Sequence, residues 1–527
     1  MEIPLFEVIF MKSTVLMIAA IGIYLVGMVL IGLLFSRRNR NTDDFFLGGR
    51  KLGPFVTAMS AEASDMSSYL LMGIPGLAML TGLAQPGWTA IGLALGTYLN
   101  WLIVAKRLRV YSSRLKAITI PEFFSRRFGD ETHLLSLIAA LLIIIFFVPY
   151  TASGFAACGK LFSSFLGIDY MSAMLICAAV ICLYCVMGGF LAASTTDFIQ
   201  SIIMTVALVI VVAFGEATAS AGNSKFGFDG ILESARQLPG FLSLTAWYDA
   251  GSGSAVPFGF LDIVSTMAWG LGYFGMPHIL LRFMAIEDHK KLKTSRRVAS
   301  VWVVISMGVA VLIGVTGVAM VQAGVIPEPS DPSKETVIIE IARAIGRYGY
   351  IFALCAGVIL AGILAATMST ADSQLLTAAS GVTNDICQNF FGIRLKPRTS
   401  MWLARLSVMA IAVIAVFFAR NPDSSIFKVV SFAGAGFGAA FGPVMLAALF
   451  WKRANRWGAL AGMLTGGVMV FLWKFLISGL GGVFAIYELL PAFLCGLIAL
   501  VVVSLLTPPP EQRLVREFDK ALRESKA

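Results

Sequence analysis

The sequence predicts an all-α polytopic membrane protein with about 13 transmembrane helices; composition and hydropathy are the two observations behind this fold class. Hydrophobic residues form 58% of the 527 residues and charged residues 13%, against roughly 45–50% and about 25% in a soluble chain. The apolar residues fall into stretches close to the ~20 residues that cross a bilayer as a helix. We therefore expect a single integral membrane domain rather than a soluble protein.

Thirteen apolar stretches, separated by charged or Gly/Pro-rich breaks, are the predicted spans. They cover residues 13–35, 54–80, 86–105, 133–158, 170–190, 196–217, 259–284, 298–323, 348–372, 400–419, 427–450, 457–478 and 483–506. The first stretch is too long for a cleaved signal peptide and basic residues follow it, so we expect it to remain as a span. Residues 218–258 are predicted to form an outer loop. The seven cysteines are expected to pack in or beside the spans rather than to form disulfides.

The basic residues predict the orientation of the chain. If the loop after the first span is cytoplasmic, 30 of the 40 Lys and Arg residues lie on the inner side, which agrees with the positive-inside rule. The N-terminus is then outside and the C-terminus cytoplasmic. This topology explains most of the formal net charge of +10, so a nucleic-acid partner has no support, whereas the inner loops can attract anionic membrane lipid.

Two of the predicted spans are interrupted by polar or helix-breaking residues. The second has two carboxylates and several serines within Ser60–Gly76, and the seventh has three glycines followed by Pro277. These two spans open two consecutive groups of five, which must cross the membrane in opposite orientations. Corresponding breaks in inverted repeats indicate the central binding site of a transporter. The G-x-G-x-x-G string Gly270–Gly275 lies inside an apolar span, which favours an unwound or closely packed helix over a dinucleotide site.

Four carboxylates lie within or beside the spans: Glu62, Asp65, Asp197 and Asp372. Burying an acid at mid-membrane costs about 2.5–3.5 kcal/mol, so such residues face a cavity, pair with another group or bind a cation.

Small and hydroxyl residues recur at helical spacing in the ninth span. They are Ala366, Ser369, Thr370 and Ser373, and this spacing puts them on one face of a helix. Hydroxyls, carbonyls and carboxylates are the ligands that hard cations prefer. Beside a broken second span whose carbonyls need partners, this face suggests half of a sodium site.

Four long strings carry a resemblance to a known family. They are DDFFLGGRKLGPFVTAMSAEASDMSSYLLMGIPG at 43–76, AWGLGYFGMPHILLRFMA at 268–285, MSTADSQLL at 368–376 and AGAGFGAAFGPV at 433–444. In this order, from about Asp43 to Leu506, the chain closely resembles the sodium:solute symporter family, and within it the sodium/proline symporters.

The resemblance implies a five-plus-five inverted-repeat transporter core of the APC/LeuT-like kind. Repeat 1 would cover 54–217 and repeat 2 would cover 259–450. The first helix and a cytoplasmic loop (1–53) precede them, and two additional helices (457–506) and a cytoplasmic tail (507–527) follow.

The resemblance also implies a sodium ion between spans 2 and 9. Its ligands would be the carbonyls of Ala63, Met66 and Ala366 and the hydroxyls of Ser369 and Thr370, with Asp65 supporting the site. Sodium would be the coupling ion, and no other cofactor is implied.

The substrate positions that the resemblance implies are Ser67, Ser68, Tyr150, Trp269, Tyr273 and Pro277. A proline zwitterion suits them, because freed backbone N–H groups can bind its carboxylate and aromatic faces its ring and cationic amine. The expected function is sodium-coupled secondary active uptake of L-proline by alternating access. The alternative is symport of another small amino acid or a carboxylate. The chain departs from the sodium/proline pattern at Glu62, Ser68-Tyr69, Met276 and Asp372, which leaves the substrate and the ions open.

A second cation site follows from the same resemblance, since some family members bind a second sodium near span 9. We expect Asp372, with Asp197, Ser369 and Ser373, to form a second cation site or a proton-titratable group.

Other function classes have less support. A channel would need a continuous polar pore, and an enzyme would need a nucleophile with a base, whereas the three histidines, His133, His278 and His289, join no catalytic set. We expect no obligatory protein partner and a location in a plasma membrane, the inner membrane of a bacterium.

Overall fold

The computed structural model of the chain describes residues 5–36, 42–219 and 228–526. Three arginines of the predicted first loop (37, 38 and 40) and residues 220–227 of the predicted outer loop lie outside these ranges. Within them the chain is almost entirely helical, and its twenty α-helices are α1 Leu5–Ser36, α2 Thr42–Leu47, α3 Pro54–Asp65, α4 Ile74–Thr81, α5 Ala84–Leu99, α6 Ala105–Arg114, α7 Ile120–Phe128, α8 Leu134–Leu166, α9 Tyr170–Ala219, α10 Phe228–Arg236, α11 Phe260–Met267, α12 Pro277–Ala285, α13 Leu292–Gln322, α14 Val337–Ile345, α15 Tyr350–Ser380, α16 Pro397–Phe418, α17 Ile426–Phe450, α18 Arg456–Leu472, α19 Leu489–Leu506 and α20 Gln512–Lys526.

Ten helical runs in the described ranges are long and apolar enough to cross a membrane. They differ from the thirteen predicted spans in three places. The predicted spans 170–190 and 196–217 belong to one run, Tyr170–Gly215, in which Gly189 leaves helical geometry with φ 67° and ψ −174°. The predicted spans 54–80 and 259–284 are broken into shorter helices. The seven cysteines are free thiols, as predicted.

The predicted second span consists of two helices with a break between them. α3 begins with Pro54 in its first turn and ends at Asp65, after which Met66 has φ −79° and ψ 74°. The N–H of Ser67 donates to the carbonyl of Asp65 at 2.9 Å instead of continuing the helical ladder. The π-helix Tyr69–Gly73 then leads into α4. The break falls among Asp and Ser, whose side chains compete with the helical backbone for hydrogen bonds.

The predicted seventh span is broken as well. α11 ends at Met267, a 3₁₀-helix covers Ala268–Phe274, and Met276 is extended with φ −73° and ψ 108°. Pro277 then opens α12. Proline lacks an N–H and disfavours the helical conformation in the residue before it. Both breaks predicted from the sequence are therefore confirmed.

Glycines allow α5 to pack directly on the broken seventh segment. A Cβ on Gly96 would lie 2.3 Å from the carbonyl oxygen of Gly270, and a Cβ on Gly270 would lie 2.1 Å from that of Gly92. The spacing of Gly92 and Gly96 is the small-xxx-small pattern that lets membrane helices approach closely. Part of the G-x-G-x-x-G string is thus explained by backbone packing.

The segment predicted as a plain outer loop contains regular structure. It includes α10 and an antiparallel hairpin in which β1, Ala246–Asp249, pairs with β2, Ser254–Pro257. Gly253, with φ 64°, stands in the turn between the strands, a conformation that glycine adopts without strain. The prediction of a structureless loop and of a wholly α-helical chain is corrected to this extent.

The tail predicted as a short charged stretch is a docked helix, α20. The ring of Phe518 is buried, with its centroid 6.3 Å from that of Tyr111 and 4.9 Å from the guanidinium of Arg127. Arg114 pairs with Glu517 at 2.9 Å, and its hydrogen bond is the main reason why the pKa of that carboxyl lies below its usual range. The apolar face of α20 explains why this polar stretch packs against the membrane domain.

Candidate functional site

Oxygen atoms from α3 and α15 meet at the break of the second span. The hydroxyl of Ser369 donates to the carbonyls of Ala63 at 2.7 Å and Ala366 at 3.2 Å. The hydroxyl of Thr370 contacts the same two carbonyls at 3.5 and 3.1 Å. Four of the five sodium ligands that the resemblance implies therefore meet, each hydroxyl lying within 3.5 Å of both carbonyls, and all four residues are buried.

The fifth expected ligand, Met66, and the supporting residue, Asp65, stand at the break itself. Tyr150 on α8 donates its phenol to the carbonyl of Asp65 at 3.0 Å. Tyr273 of the seventh segment donates to the Asp65 carboxylate at 2.5 Å. Asp65 therefore connects the broken second span with both α8 and the broken seventh segment. Pro149, which precedes Tyr150, lies inside α8.

Aromatic rings pack together next to this arrangement. The ring of Tyr69 stacks on Trp269 with a centroid distance of 5.7 Å and an interplanar angle of 30°. Phe427, at the start of α17, meets Trp269 edge-on at 5.0 Å. These side chains are buried, and they bring the expected substrate residue Trp269 next to the break in the second span.

The other expected substrate residues flank the two breaks. The hydroxyl of Ser67 accepts from the N–H of Tyr69 at 3.4 Å. The Ser68 hydroxyl is buried and has no hydrogen-bond partner among the described residues. Pro277 begins α12, so the N-terminus of this half-helix lies at the break. His278 packs against Phe147, with a distance of 5.4 Å between the ring centroids.

A buried arginine that the sequence analysis missed joins the predicted second cation cluster. Arg282 is 1% exposed, and its guanidinium contacts Asp197 Oδ2 at 3.1 Å and Ser60 Oγ at 3.1 Å. It also donates to the hydroxyl of Ser373. The count of inner basic residues includes Arg282, which is wrong, because this residue belongs to the predicted span 259–284 and lies within α12. Applying the rule for ionisable residues inside spans to basic side chains would have found it.

The carboxylate of Asp372 lies in the same network. It accepts from Tyr184 on α9 at 2.7 Å and from the hydroxyl of Ser373 at 3.0 Å. Tyr184 also contacts the hydroxyl of Thr196 on the same helix. The guanidinium of Arg282 thus contacts Asp197 directly, whereas Ser373, which contacts both Arg282 and Asp372, links it to the second carboxylate of this buried cluster.

Glu62, the remaining acid of the second span, faces a different neighbour. Its Oε1 accepts from the indole N–H of Trp101 at 2.9 Å, and the Trp101 ring packs on Phe283 at 4.4 Å. Glu62 therefore connects its own helix, α3, with the π-helix Asn100–Val104, which in turn packs on α12.

Two broken membrane helices that meet a hydroxyl-bearing helix define a class of protein. Half-helix ends and freed backbone groups at the centre of a membrane domain are the binding elements of secondary transporters. The oxygen cluster between α3 and α15 is suited to a hard cation. By fold and site, the chain is a secondary active transporter.

Comparison with known proteins identifies the family. A model of the sodium:solute symporter family matches residues 45–466, and the chain belongs to this family. It is therefore a sodium-coupled transporter and not an enzyme. The chain is 42% identical to the osmoregulated proline transporter OpuE of Bacillus subtilis, over 97% of this chain and 99% of that one. It is 40% identical to the sodium/proline symporter of Escherichia coli, over 96% of each chain.

Solved structures support the fold. A sodium-coupled sialic acid symporter, in a substrate-bound outward-open state, matches with a TM-score of 0.76 at 20% identity, over 94% of this chain and 99% of that chain. A nucleobase-cation-symport-1 family transporter in a closed conformation matches with a TM-score of 0.52 at 13% identity, over 90% of this chain and 98% of that chain. At these identities the likeness concerns the fold alone.

Proposed function

We propose that the protein takes up L-proline together with sodium across a bacterial inner membrane by alternating access. The observation that carries the sodium site is the meeting of the Ser369 and Thr370 hydroxyls with the carbonyls of Ala63 and Ala366. The names of the relatives, which are sodium/proline symporters and proline transporters, support the choice of substrate.

The proposed sodium site uses these four oxygens and the carbonyl of Met66. A cation bound there would hold the inner half of the second span against α15. Because Asp65 joins the same break to Tyr150 and Tyr273, sodium binding would also position the groups proposed to bind substrate. Each positive charge that moves inward gains about 2.3 kcal/mol per 100 mV of membrane potential, so one sodium supports substantial accumulation.

The proposed substrate site lies between the two breaks. Trp269, stacked on Tyr69, and the nearby Tyr150 and Tyr273 offer aromatic faces for the ring and the cationic amine of proline. The Ser67 and Ser68 hydroxyls and the N-terminus of α12 at Pro277 offer hydrogen-bond donors for the carboxylate.

We propose thirteen membrane spans built on two inverted repeats of five. The three places where the ten long helical runs fall short of thirteen are the two broken spans and the turn at Gly189. In this topology, repeat 1 covers residues 54–217 and repeat 2 covers residues 259–450. Residues 457–506 form two further spans. The N-terminus lies outside and the tail is cytoplasmic, as the basic residues indicate.

We also propose a second cation site at Asp197, Asp372 and Ser373, beside Ser369. Arg282 supplies one positive charge to a cluster that holds two carboxylates. If both carboxylates are ionised, one negative charge is left without a counter-charge in a fully buried place, and a bound cation would offset it.

Uptake into vesicles tests the main proposal. We expect labelled L-proline to accumulate in proteoliposomes when an inward sodium gradient is applied and not when a potassium gradient replaces it. Unlabelled glycine, alanine and acetate provide the competition series, which separates proline from the alternative of another small amino acid or carboxylate. Absence of sodium-stimulated uptake for all of these solutes would contradict the proposal.

The charge moved per substrate tests the second cation site. We expect the wild type to move more than one charge per proline, and Asp372→Asn to move one, because the variant removes the excess negative charge. Reversal potentials in proteoliposomes give this ratio. Asp423→Asn, at an exposed acid, is the control and should match the wild type. One charge per proline in both proteins would contradict the site.

A further inference from the structure

An apolar cavity lies between α1, α8, α9 and α15. Its volume is about 230 Å³, and its lining consists of aliphatic, aromatic and sulfur-containing side chains. Cys158 and Met368 of the lining are buried, whereas Leu166 and Ile176 are exposed and mark its mouth. It exceeds the about 150 Å³ of cavities that stay dry and bind a benzene-sized molecule.

The mouth of the cavity is continuous with the lipid-facing surface of the helices. Ile176 is 62% exposed, and its neighbours Leu175 and Leu183 on α9 are also exposed. All three lie within Tyr170–Gly215, one of the runs long enough to cross the membrane. Their surroundings are therefore the hydrocarbon chains of the bilayer.

The cavity extends along the membrane normal rather than across it. Its lining takes residues from Cys158 to Leu166 on α8 and from Ala173 to Ile181 on α9. Eight residues of helix advance about 12 Å. With the orientation proposed above, Leu166 and Ile168 lie toward the outer leaflet and Met368 lies near the middle of the membrane.

We propose that the acyl chain of an outer-leaflet phospholipid occupies this cavity. Water is a poor occupant, because the lining offers it no hydrogen-bond partners. An empty cavity would forfeit dispersion contacts along its whole lining. A hydrocarbon chain restores these contacts without a desolvation cost, since lipid tails are as apolar as the leucine and isoleucine side chains around them.

The occupied cavity supports the helix that carries the proposed sodium ligands. Met368 forms part of its wall and directly precedes Ser369. The thioether of Met368 accepts from the phenol of Tyr24 at 3.5 Å, and Gln200 donates to the same phenol at 2.8 Å. A chain packed against Met368 stabilises α15 at this level and thereby favours sodium binding. This consequence rests on the proposed function, whereas the binding of the chain does not.

Two matched substitutions on α9 test the site. Cys177 lines the cavity and Cys182 does not, and both are half-buried cysteines on the same helix. Cys177→Phe fills the cavity with a ring, and Cys182→Phe adds the same ring elsewhere. Val180→Phe, at a second lining residue, is an independent filling variant. Thermal unfolding is measured for Cys177→Phe and Val180→Phe. The one whose unfolding temperature equals that of the wild type is the filling variant in the experiments below.

The probe is a phosphatidylethanolamine with a photoreactive diazirine near the end of one acyl chain, in vesicles of phosphatidylethanolamine and phosphatidylglycerol. We expect adducts in the wild-type segments 158–162 and 364–368, at least fivefold fewer in the filling variant and an unchanged amount in Cys182→Phe. Absence of adducts from these segments in the wild type, or equal adducts in the filling variant, would overturn the proposal.

A functional measurement separates this proposal from the transport function. We expect the filling variant to change the sodium concentration for half-maximal uptake at least threefold, while Cys182→Phe does not. If sodium drives no uptake in the wild type but the adducts follow the expected pattern, the transport proposal fails and the acyl-chain site stands. If uptake is sodium-driven and identical in all variants, the support of α15 by lipid is refuted.

Discussion

At the scale of single residues, the site depends on hydroxyls that each contact two helices. Ser369 and Thr370 share the carbonyls of Ala63 and Ala366. A cation at this point would meet oxygens from both the broken second span and α15, so its binding would hold these two segments together. The same pair of side chains is therefore predicted to control sodium use.

Ser369→Ala and Thr370→Ala should each raise the sodium concentration for half-maximal uptake by about tenfold or more. A hydrogen-bonding group that faces a charge contributes about 1.5–3 kcal/mol, and about 1.4 kcal/mol corresponds to a factor of ten. The ranking of competing amino acids should stay the same. Uptake measured over a series of sodium concentrations gives both quantities.

Thr377→Ala is the matched control for these variants. Its hydroxyl bonds to the carbonyl of Ser373 on the same helix at 2.7 Å and contacts no residue of α3 that the structure records. Its sodium dependence should equal that of the wild type. Wild-type sodium dependence in both Ser369→Ala and Thr370→Ala would count against the assignment.

Residue types predicted the hydroxyls of α15 better than the arginine and the tyrosine of the neighbouring cluster. The hydroxyl face of α15 follows from helical spacing, and the structure brings it to Ala63 as expected. Arg282 was not predicted, because hydropathy does not distinguish a basic residue at the end of a span from one in the adjoining loop. Tyr184 was not predicted either, because a single tyrosine in an apolar span gives no sequence signal of function. The packing of α9 on α15 brings its hydroxyl to Asp372.

At the scale of elements, the broken seventh segment depends on close backbone packing with α5. Gly92 and Gly96 of α5 meet Met267 and Gly270, and a Cβ added to either α5 glycine would lie 2.3–2.5 Å from a carbonyl oxygen. Backbone atoms cannot move aside as a flexible side chain can. The position of Trp269 and Tyr273 therefore depends on the absence of side chains on α5.

Gly96→Ala should destabilise the protein by about 1–3 kcal/mol, the usual cost of overpacking, and should lower uptake. Gly308→Ala is the control, because a Cβ there has open space in the midst of α13. Thermal unfolding in detergent and initial uptake rates check the two effects. Equal unfolding temperatures for the two variants would show that the close approach of the helices does not contribute to the stability of the protein.

A buried ion pair connects α8, the segment before α14 and the start of α17. Lys160 on α8 contacts Glu335 at 2.7 Å, and both side chains are almost fully buried. The other oxygen of Glu335 accepts from Ser425 and from the N–H of Phe427 at the start of α17. The pair therefore fixes the end of α17 that carries the ring packed on Trp269.

Lys160→Met should cost about 3–5 kcal/mol of stability, because it leaves the buried Glu335 carboxylate without its counter-charge. The double variant Lys160→Met/Glu335→Gln should recover part of this loss, since it removes both charges. Thermal unfolding of the single and double variants measures the difference. A double variant that is less stable than Lys160→Met would contradict the explanation.

At the scale of the whole molecule, hydropathy predicted which residues enter the membrane but not how the helices continue. Hydropathy separated the spans on either side of Gly189, but it did not indicate that a single residue with positive φ joins them in place of a loop. The docking of α20 was missed for a different reason. Its apolar residues are few, and the surface that they cover is formed by α6 and α7 only in the folded protein.

The distribution of basic residues predicts the orientation of the chain in the membrane, and cysteine labelling tests this orientation. A cysteine at Ser252, in the exposed turn of the hairpin, should react with a membrane-impermeant maleimide on intact cells. A cysteine at Lys520, on the exposed side of α20, should react only after the membrane is opened. Both outcomes follow from the predicted inner position of most of the 40 basic residues, because positively charged loops stay on the cytoplasmic side. The parent chain, whose cysteines lie in or beside the helices of the membrane domain, gives the background. Labelling of the tail on intact cells, with protection of the hairpin, would reverse the topology and with it the side from which sodium enters.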